Sequence, residues 1–424
     1  MEDGQVDSQS YIDDPVNVAN GKLYRVDRDL RMSGSGLQLS VERFYNSQVT
    51  AVSPFGRGWT YNYHQYLTMN WDFSVTAFEG DGGTQLYKFV ATNPGAWVDS
   101  FDNDPLIDYP LDEGYYVSSP DNPATLRRET NGIYIIREKN GAEYHYQGYY
   151  AFWRGGNQSN IAGKLIAIVD PNGNRVRLDY DASGNLATVT DPVGRQLRFT
   201  YSNGLVSSVT DPAGRVTRYT YDAQQRLVEV IDPAGHRSTY TYYPDHKLAT
   251  KTDARGNTIT YTYYPDGKAK NVINAEGALY NTFVYNPASH MTTRTDAKGH
   301  TTTFYYNDTG NVVREVNPLG QETRTSWDAA YNKTSITNAR GQVFAFAYDG
   351  KQNLTRVTDP LGGITQLEYD PVFNKVKRLI DPKDQEVRLE YDSRGNLTTL
   401  TDALGRVTRF GYDGAGNIIS ITDP

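Results

Sequence analysis

The side chains of this sequence that could do chemistry are imidazoles and carboxylates. The histidines are His64, His145, His236, His246, His290 and His300. Acid–base catalysis or metal binding would need such groups gathered by a signature such as His-Glu-x-x-His or a nucleophile elbow, and the sequence holds neither. His236 and His300 follow the glycine of an Asp-x-x-Gly, where Arg215 or Asn257 stands in other copies, and His246 and His290 replace the Asn of a Gly-Asn-Leu. These are turn positions, and substitution there is tolerated without chemistry. The recurrent aspartates are spaced as turns are, and Asp at the first position of a turn accepts backbone N–H bonds. Neither an EF-hand loop nor a glycine-rich calcium repeat is present. Asp102-Asn103-Asp104 is the one tight acidic cluster that suits a cation. Tyr146, Tyr149, Tyr150, Phe152 and Trp153 form an aromatic cluster with two readings. It seals a junction between domains, or Trp153 and Tyr150 stack against a glycan. The expectation is no catalytic residue, no cofactor and no metal ligand.

What positions these residues is a repeat. Asp211-Pro212-Ala213-Gly214 is followed by the alternating run Arg215 to Thr220, by Tyr221-Asp222, and by a return segment from Leu227 to Ile231. The Asp-x-x-Gly anchor, with Asn as a variant at its first position and Asp384 in place of the Gly once, recurs twelve times from Asp170 to Asp402 at steps of 20 to 22 residues. A Tyr falls ten residues after nearly every anchor, from Tyr180 to Tyr412; Trp327 replaces it once and Tyr285 arrives one residue late. A fixed period of this size marks an array of identical supersecondary units. Asp-Pro-x-Gly matches a type I turn, and Tyr-Asp-x-x-Gly-Asn-Leu supplies a second turn of similar chemistry. Between them the pattern has period 2, as in Ile259, Tyr261 and Tyr263, which is strand periodicity. Each repeat therefore reads as a two-strand hairpin, and successive hairpins pair into one antiparallel sheet. The repeat residues expected to carry the architecture are Asp211, Gly214, Tyr221 and Asp222 in one copy, and Asp402, Gly405, Tyr412 and Asp413 in another. The return segment is irregular, because Leu227 and Val230 sit three apart. Either a bulge lies between them or both faces are partly buried.

Composition narrows the class. Mean hydropathy is -0.64, yet 34 Tyr in a strict period argue for packed structure rather than disorder. No Cys occurs, so disulfides are absent and redox logic does not reveal the compartment. A net charge of -8 disfavours nucleic-acid partners. No apolar run is long enough to span a membrane as a helix, and the acidic, polar first residues lack a signal-peptide core. No segment sustains a 3.6 period, so very little helix is expected.

The consensus written almost whole from Asp402 to Ile418 resembles the Rhs, or YD, repeat. Upstream, Asp14-Pro15-Val16-Asn17, Arg43-Phe44-Tyr45-Asn46-Ser47 and Phe55-Gly56-Arg57-Gly58-Trp59 resemble the domain that precedes the repeats in bacterial Rhs proteins. The resemblance, which extends to insecticidal toxin-complex shell subunits and teneurins, implies an all-β fold. It would be a long spiral antiparallel sheet of hairpins, part of a shell, with a small N-terminal β domain capping it. It also implies a secreted or surface protein of the polymorphic-toxin type, used in interbacterial competition, whose shell encloses a C-terminal toxin domain. The partners would be that cargo, a secretion apparatus and, on the alternative reading, a glycan or protein at a cell surface. The array stops inside a repeat, so the cargo is expected outside these 424 residues. The expected division is a polar tail (1–14), an N-terminal β domain (15–158) and the repeats (159–424).

Overall fold

A computed structural model describes residues 16–32, 37–92, 114–148 and 159–424. Asp102-Asn103-Asp104, Trp153 and Tyr150 lie outside the described residues, so the cation and glycan readings gain no geometry. Among the described residues the only helical turn is the short 3₁₀ segment Pro287–Ser289. Everything else is strand and turn, as the period-2 pattern requires.

One sheet dominates. It has 28 strands in strict chain order, from Thr125–Arg128 to Ile418–Thr422, all antiparallel to their neighbours. Three of its strands, Thr125–Arg128, Tyr134–Arg137 and Glu143–Tyr146, precede residue 159 and join the regular repeats through Leu165–Val169. The N-terminal segment makes a three-stranded sheet (Tyr24–Met32, Leu39–Asn46, Trp59–Tyr61) and a four-stranded meander (Tyr66–Met69, Val75–Phe78, Thr84–Ala91, Gly114–Ser118).

The irregular return strand is explained by a bulge. Tyr221 pairs with Leu227 but Thr220 pairs with Glu229, so Val228 is the extra residue and Leu227 and Val230 return to one face. The same shift recurs in every hairpin from Arg175 onward except Leu279–Asn286 with Met291–Asp296. That exception is the repeat in which Tyr285 arrives late. Bulges increase local twist, and here one is inserted at every step of the ribbon from Arg175 onward but that one.

The ribbon coils until it meets itself. Asn174 Nδ2 donates to the Ala415 carbonyl (2.8 Å), Asn396 Nδ2 to Asn172 Oδ1 (2.8 Å) and Gln352 Nε2 to the Pro120 carbonyl (2.6 Å). Asn374 Nδ2 donates to the Lys139 carbonyl as well. These partners are separated by 224 to 241 residues, which is about eleven repeats per circuit. Asp-Pro turns of the first circuit, such as 170–174, thus rest on Tyr-Asp turns of the second, such as 392–396 and 413–417.

The two faces of the sheet differ. In Val343–Tyr348, Phe344 and Phe346 are half-buried while Val343, Ala345 and Ala347 are exposed. In Glu386–Tyr391, Leu389 is half-buried while Arg388 and Glu390 are exposed. The apolar face is the one on which the N-terminal segment sits: Phe55 packs edge-on to Tyr219 and Tyr61 lies against Phe199. Backbone bonds tie the same segment to the Tyr-Asp edge of the first circuit, from Val206 N–H to the Pro54 carbonyl (2.8 Å), Arg57 N–H to Gln225 (2.9 Å) and Ala269 N–H to Gly21 (2.9 Å). The second circuit's Tyr-Asp edge is covered by the first circuit, and the first circuit's edge is covered by this domain.

Candidate functional site

The repeat residues singled out by the period all serve the wall. Asp211 N–H donates to the Arg215 carbonyl and Gly214 N–H to the Asp211 carbonyl, both at 2.9 Å. Asp211 Oδ1 accepts the N–H groups of Ala213 and Arg215, and its Oδ2 takes Arg215 Nε at 2.7 Å. Gly214 closes the turn at φ +79°, and a Cβ there would meet nothing within 4 Å. Conformation, not space, is what favours glycine. The second turn repeats the chemistry: Asp222 Oδ1 accepts the N–H groups of Gln224 and Arg226, and Oδ2 takes Arg226 Nε at 2.7 Å. Asp402 with Arg406 and Asp413 with Asn417 do the same, with Gly405 at φ +77°. Burial works against the Asp211 charge, but the N–H and guanidinium of Arg215 outweigh it and hold the carboxyl below the usual range.

The tyrosine has a separate task. The ladder between the return strand Leu227–Ile231 and the next strand Arg237–Tyr242 ends at Glu229 opposite Thr239, short of Leu227. Tyr242 fills the gap, its hydroxyl donating to the Leu227 carbonyl at 2.7 Å. Tyr180, Tyr201, Tyr221, Tyr263, Tyr369 and Tyr391 each make the same bond to the residue fifteen back. Trp327 substitutes because its Nε1 reaches the Val312 carbonyl at 2.9 Å. Tyr412 ends the apolar–polar run of Val407–Tyr412 and pairs with Ile418 across the last bulge.

The histidines are turn residues, with one correction. His236 and His300 offer Nδ1 to Asp232 and Asp296 at 2.9 and 3.2 Å, in the slot of Arg215. His246 and His290, however, do not replace the Asn. They hold the left-handed glycine position, at φ 72° and 47°. Tyr243 and Asn286 introduce these turns in place of Asp, which hid the register. Among the described residues no group of three or more His, Cys, Asp or Glu is placed to hold a metal ion, and no helix is long and apolar enough to cross a membrane. Of the aromatic cluster, Tyr146 is buried and donates to Gln65 Oε1 at 3.1 Å, at the junction with the N-terminal segment.

The densest polar site was not anticipated from the sequence. It joins the N-terminal sheet to the wall. Asp29 receives Arg43 Nε (2.5 Å), Arg43 Nη2 (2.8 Å) and the Tyr219 hydroxyl (2.9 Å). Asp27 receives the Tyr240 hydroxyl (2.7 Å), Lys251 Nζ (2.6 Å) and Arg25 Nε (3.0 Å). Arg25 Nη1 also donates to the Tyr261 hydroxyl at 2.9 Å. The Arg43 guanidinium lies 4.8 Å from the Trp59 ring centroid, and Trp59 Nε1 donates to the Tyr242 hydroxyl. Burial disfavours the Asp27 charge, but Arg25, Arg43 and Lys251 outweigh it and keep the carboxyl ionised well below its ordinary range. Burial raises Tyr219 and Tyr240, so both remain protonated donors at neutral pH. A signal existed. Tyr219, Tyr240 and Tyr261 occupy the same inward slot of three consecutive repeats, where neighbouring copies carry Phe199, Phe283 and Phe304. Each added hydroxyl meets a charged residue of the N-terminal sheet.

Comparison with known proteins matches two parts of the chain. The family described as RHS Repeat matches residues 162–196, 201–237, 306–343, 348–386 and 391–424, and a domain of unknown function (DUF6531) matches 13–87. The gap at 238–305 holds the 3₁₀ turn and the hairpin without a bulge. No curated protein matches. Solved structures that resemble the chain include TcdB2-TccC3-TEV (13% identity, 94% of this chain, 24% of that one, TM-score 0.36). TcdB2-TccC3-Cdc42 aligns at 12% identity over 92% of this chain and 24% of the other, with TM-score 0.32. The Photorhabdus luminescens Tc holotoxin pore aligns at 12% over 95% and 26%, with TM-score 0.27. The chain spans about a quarter of the length of these structures.

Proposed function

The chain belongs to the Rhs/YD-repeat family, and from that premise we propose that it is a segment of shell wall enclosing a toxic cargo domain carried outside these residues. The observation that carries this reading is the coil itself. A single amphipathic ribbon returns onto its own edge, presents a half-buried apolar row inward (Phe346, Leu367, Leu389, Phe410) and leaves charged residues such as Glu368 and Arg388 outside. A wall of this kind covers volume with one layer of strands, and its apolar face suits a bound polypeptide. The N-terminal domain plugs one end. On this reading the protein is secreted or displayed at a bacterial surface, delivers its cargo in competition between bacteria, and works as a container rather than a catalyst.

The absence of cysteine makes a direct test practical. Leu367→Cys and Glu368→Cys place single thiols on opposite faces of one strand. In the protein as it occurs in the cell, a membrane-impermeant, bulky maleimide should label the Glu368→Cys variant quickly and the Leu367→Cys variant slowly until denaturant opens the wall. Equal rates in the native protein would refute enclosure.

A further inference from the structure

The two circuits meet along a seam that is built differently from the rest of the wall. Within the ribbon each strand is laddered to its neighbours in chain order, and among the described residues no strand of one circuit pairs with a strand of the other. What crosses the seam is side chains at turn tips. Asn174, Gln352, Asn374 and Asn396 donate across it, and the bonds of Gln352 and Asn374 are open to solvent. Hydrogen bonds that water can replace add little net stability. An edge held this way parts at a lower free energy than a ladder, because local stability follows buried contact. One residue stands apart. Phe373 is 7% exposed, in a half of the sheet where every other apolar side chain is more open. A Cβ at Gly141 of the first circuit would lie 3.1 Å from its ring and 3.2 Å from Pro171 Cγ. A Cβ at Gly395, in the next turn of the second circuit, would lie 2.9 Å from the same ring. Two turn glycines therefore leave the space that the ring fills.

The turn that carries Phe373 is longer than its neighbours by one residue. Asp349, Asp392 and Asp413 N–H close on the carbonyls of Asn353, Asn396 and Asn417, whereas Asp370 N–H closes on Lys375 (2.8 Å). The hairpin does not need the extra residue, since the other three close without it. The insertion places Asn374 in the left-handed position, at φ 49°, directly after Phe373. Asn374 Nδ2 then reaches the Lys139 carbonyl while the ring meets Gly141, so both address the same first-circuit turn. We propose that this seam is where the wall opens and that Phe373 is the latch that holds it shut. With the ring seated between Gly141 and Gly395, the second circuit stays on the first. When the ring leaves its seat, the turn tips separate and the hairpins stay folded. The moving unit is the edge of a circuit, not a strand. The latch acts on the wall whatever the wall contains, so it stands or falls apart from the enclosure of a cargo.

The test is a pair of spin-label distances in the 424-residue chain, which has no cysteine of its own to interfere. Lys139→Cys with Ser393→Cys spans the seam, and Gly350→Cys with Ser393→Cys lies within the second circuit; all three positions are exposed. Each pair is measured with Phe373 in place, with Phe373→Ala, and with Phe373 deleted, which returns the turn to the length of its neighbours. In both altered chains the distance across the seam should broaden and lengthen by several ångströms. The distance within the second circuit should stay as it was. Phe373→Leu, which keeps an apolar side chain in the seat, should remain close to wild type. An unchanged distance across the seam in both altered chains would show that Phe373 latches nothing. Equal broadening of both pairs would show that it supports the fold at large, and a Phe373→Leu chain as open as Phe373→Ala would deny the seat. Any of these results overturns the proposal.

Discussion

The two halves of the sheet are built from the same repeat and end in different environments. In the half up to Phe304, inward residues are sealed: Leu227 is 0% exposed, Val230 6% and Tyr261 1%. Beyond Phe304 the only buried apolar residue is Phe373, and the equivalent strand Leu397–Thr401 is partly open throughout. The hairpin geometry does not change between them. Asp222 and Asp392 lock their turns through the same pair of N–H groups, and Tyr221 and Tyr391 bond the same carbonyl in the preceding repeat. The repeat therefore makes its own strands, turns and neighbour contacts, as arrays of this type do. Only the N-terminal domain turns one stretch of ribbon into a packed core.

Substitutions can separate the two contributions. The largest effect is expected for Arg43→Met, which leaves the buried Asp29 with only the Tyr219 hydroxyl and should cost about 3–5 kcal/mol. Proteolysis or hydrogen exchange should show the loss in the covered half and leave strands after Val312 protected. Next, Leu227→Ala should cost about 2–5 kcal/mol as a cavity mutant, while Leu397→Ala at the equivalent open position should cost clearly less. Equal denaturant shifts would mean that the open half is packed by something else. Gly214→Val and Gly405→Val should each lose roughly 1–3 kcal/mol, alike in both halves, because the strain lies in a left-handed backbone that valine resists. A melting curve unchanged in either variant would remove the turn assignment. Tyr221→Phe and Tyr391→Phe should each lose about 1 kcal/mol or somewhat more, through an unsatisfied carbonyl.

The smallest effect concerns pH. Glu79 faces Asp81 and Glu138 at the seam between the four-stranded meander and the wall; burial, with these two carboxylates, raises it to about 7. A carboxyl raised above its unfolded value stabilises least once the solution is basic enough to ionise it. Between pH 4.5 and 7 the unfolded chain gives up this proton while the folded one keeps it, so stability falls as pH rises through that window. Because water reaches Glu79 within the seam, the change should be modest. His64 is half-buried; desolvation lowers it to about 4, and it acts in the opposite sense by losing stability on acidification. The measurement is therefore the difference between wild type and Glu79→Gln, which should narrow steadily from pH 7.5 to 5. A constant difference would exclude coupling at this seam.

Much of the wall was legible in advance because its determinants are local. Asp, Gly and Tyr recur at a fixed period, and each acts on backbone within its own hairpin or the one before. The three-residue offset between Leu227 and Val230 left a bulge and burial of both faces open, and only the paired strands show the bulge and which residue is extra. The glycine slot of His246 was misread because Tyr243 stands where the repeat has Asp. The joint was harder. Tyr219, Tyr240 and Tyr261 look like ordinary strand aromatics, and their partners Asp29, Asp27 and Arg25 are roughly 190 to 240 residues away.

By itself, then, the order of residues determined a ribbon of paired strands, its turns and its two unlike faces, since all of these follow from φ preferences and hydrogen bonds between near neighbours. Tertiary structure alone decided where the ribbon meets itself and which repeats are sealed. It also decided that three cations and two carboxylates share one buried site. Those outcomes depend on groups that come together only after some eleven hairpins have accumulated their rotation, and no local pattern encodes the sum.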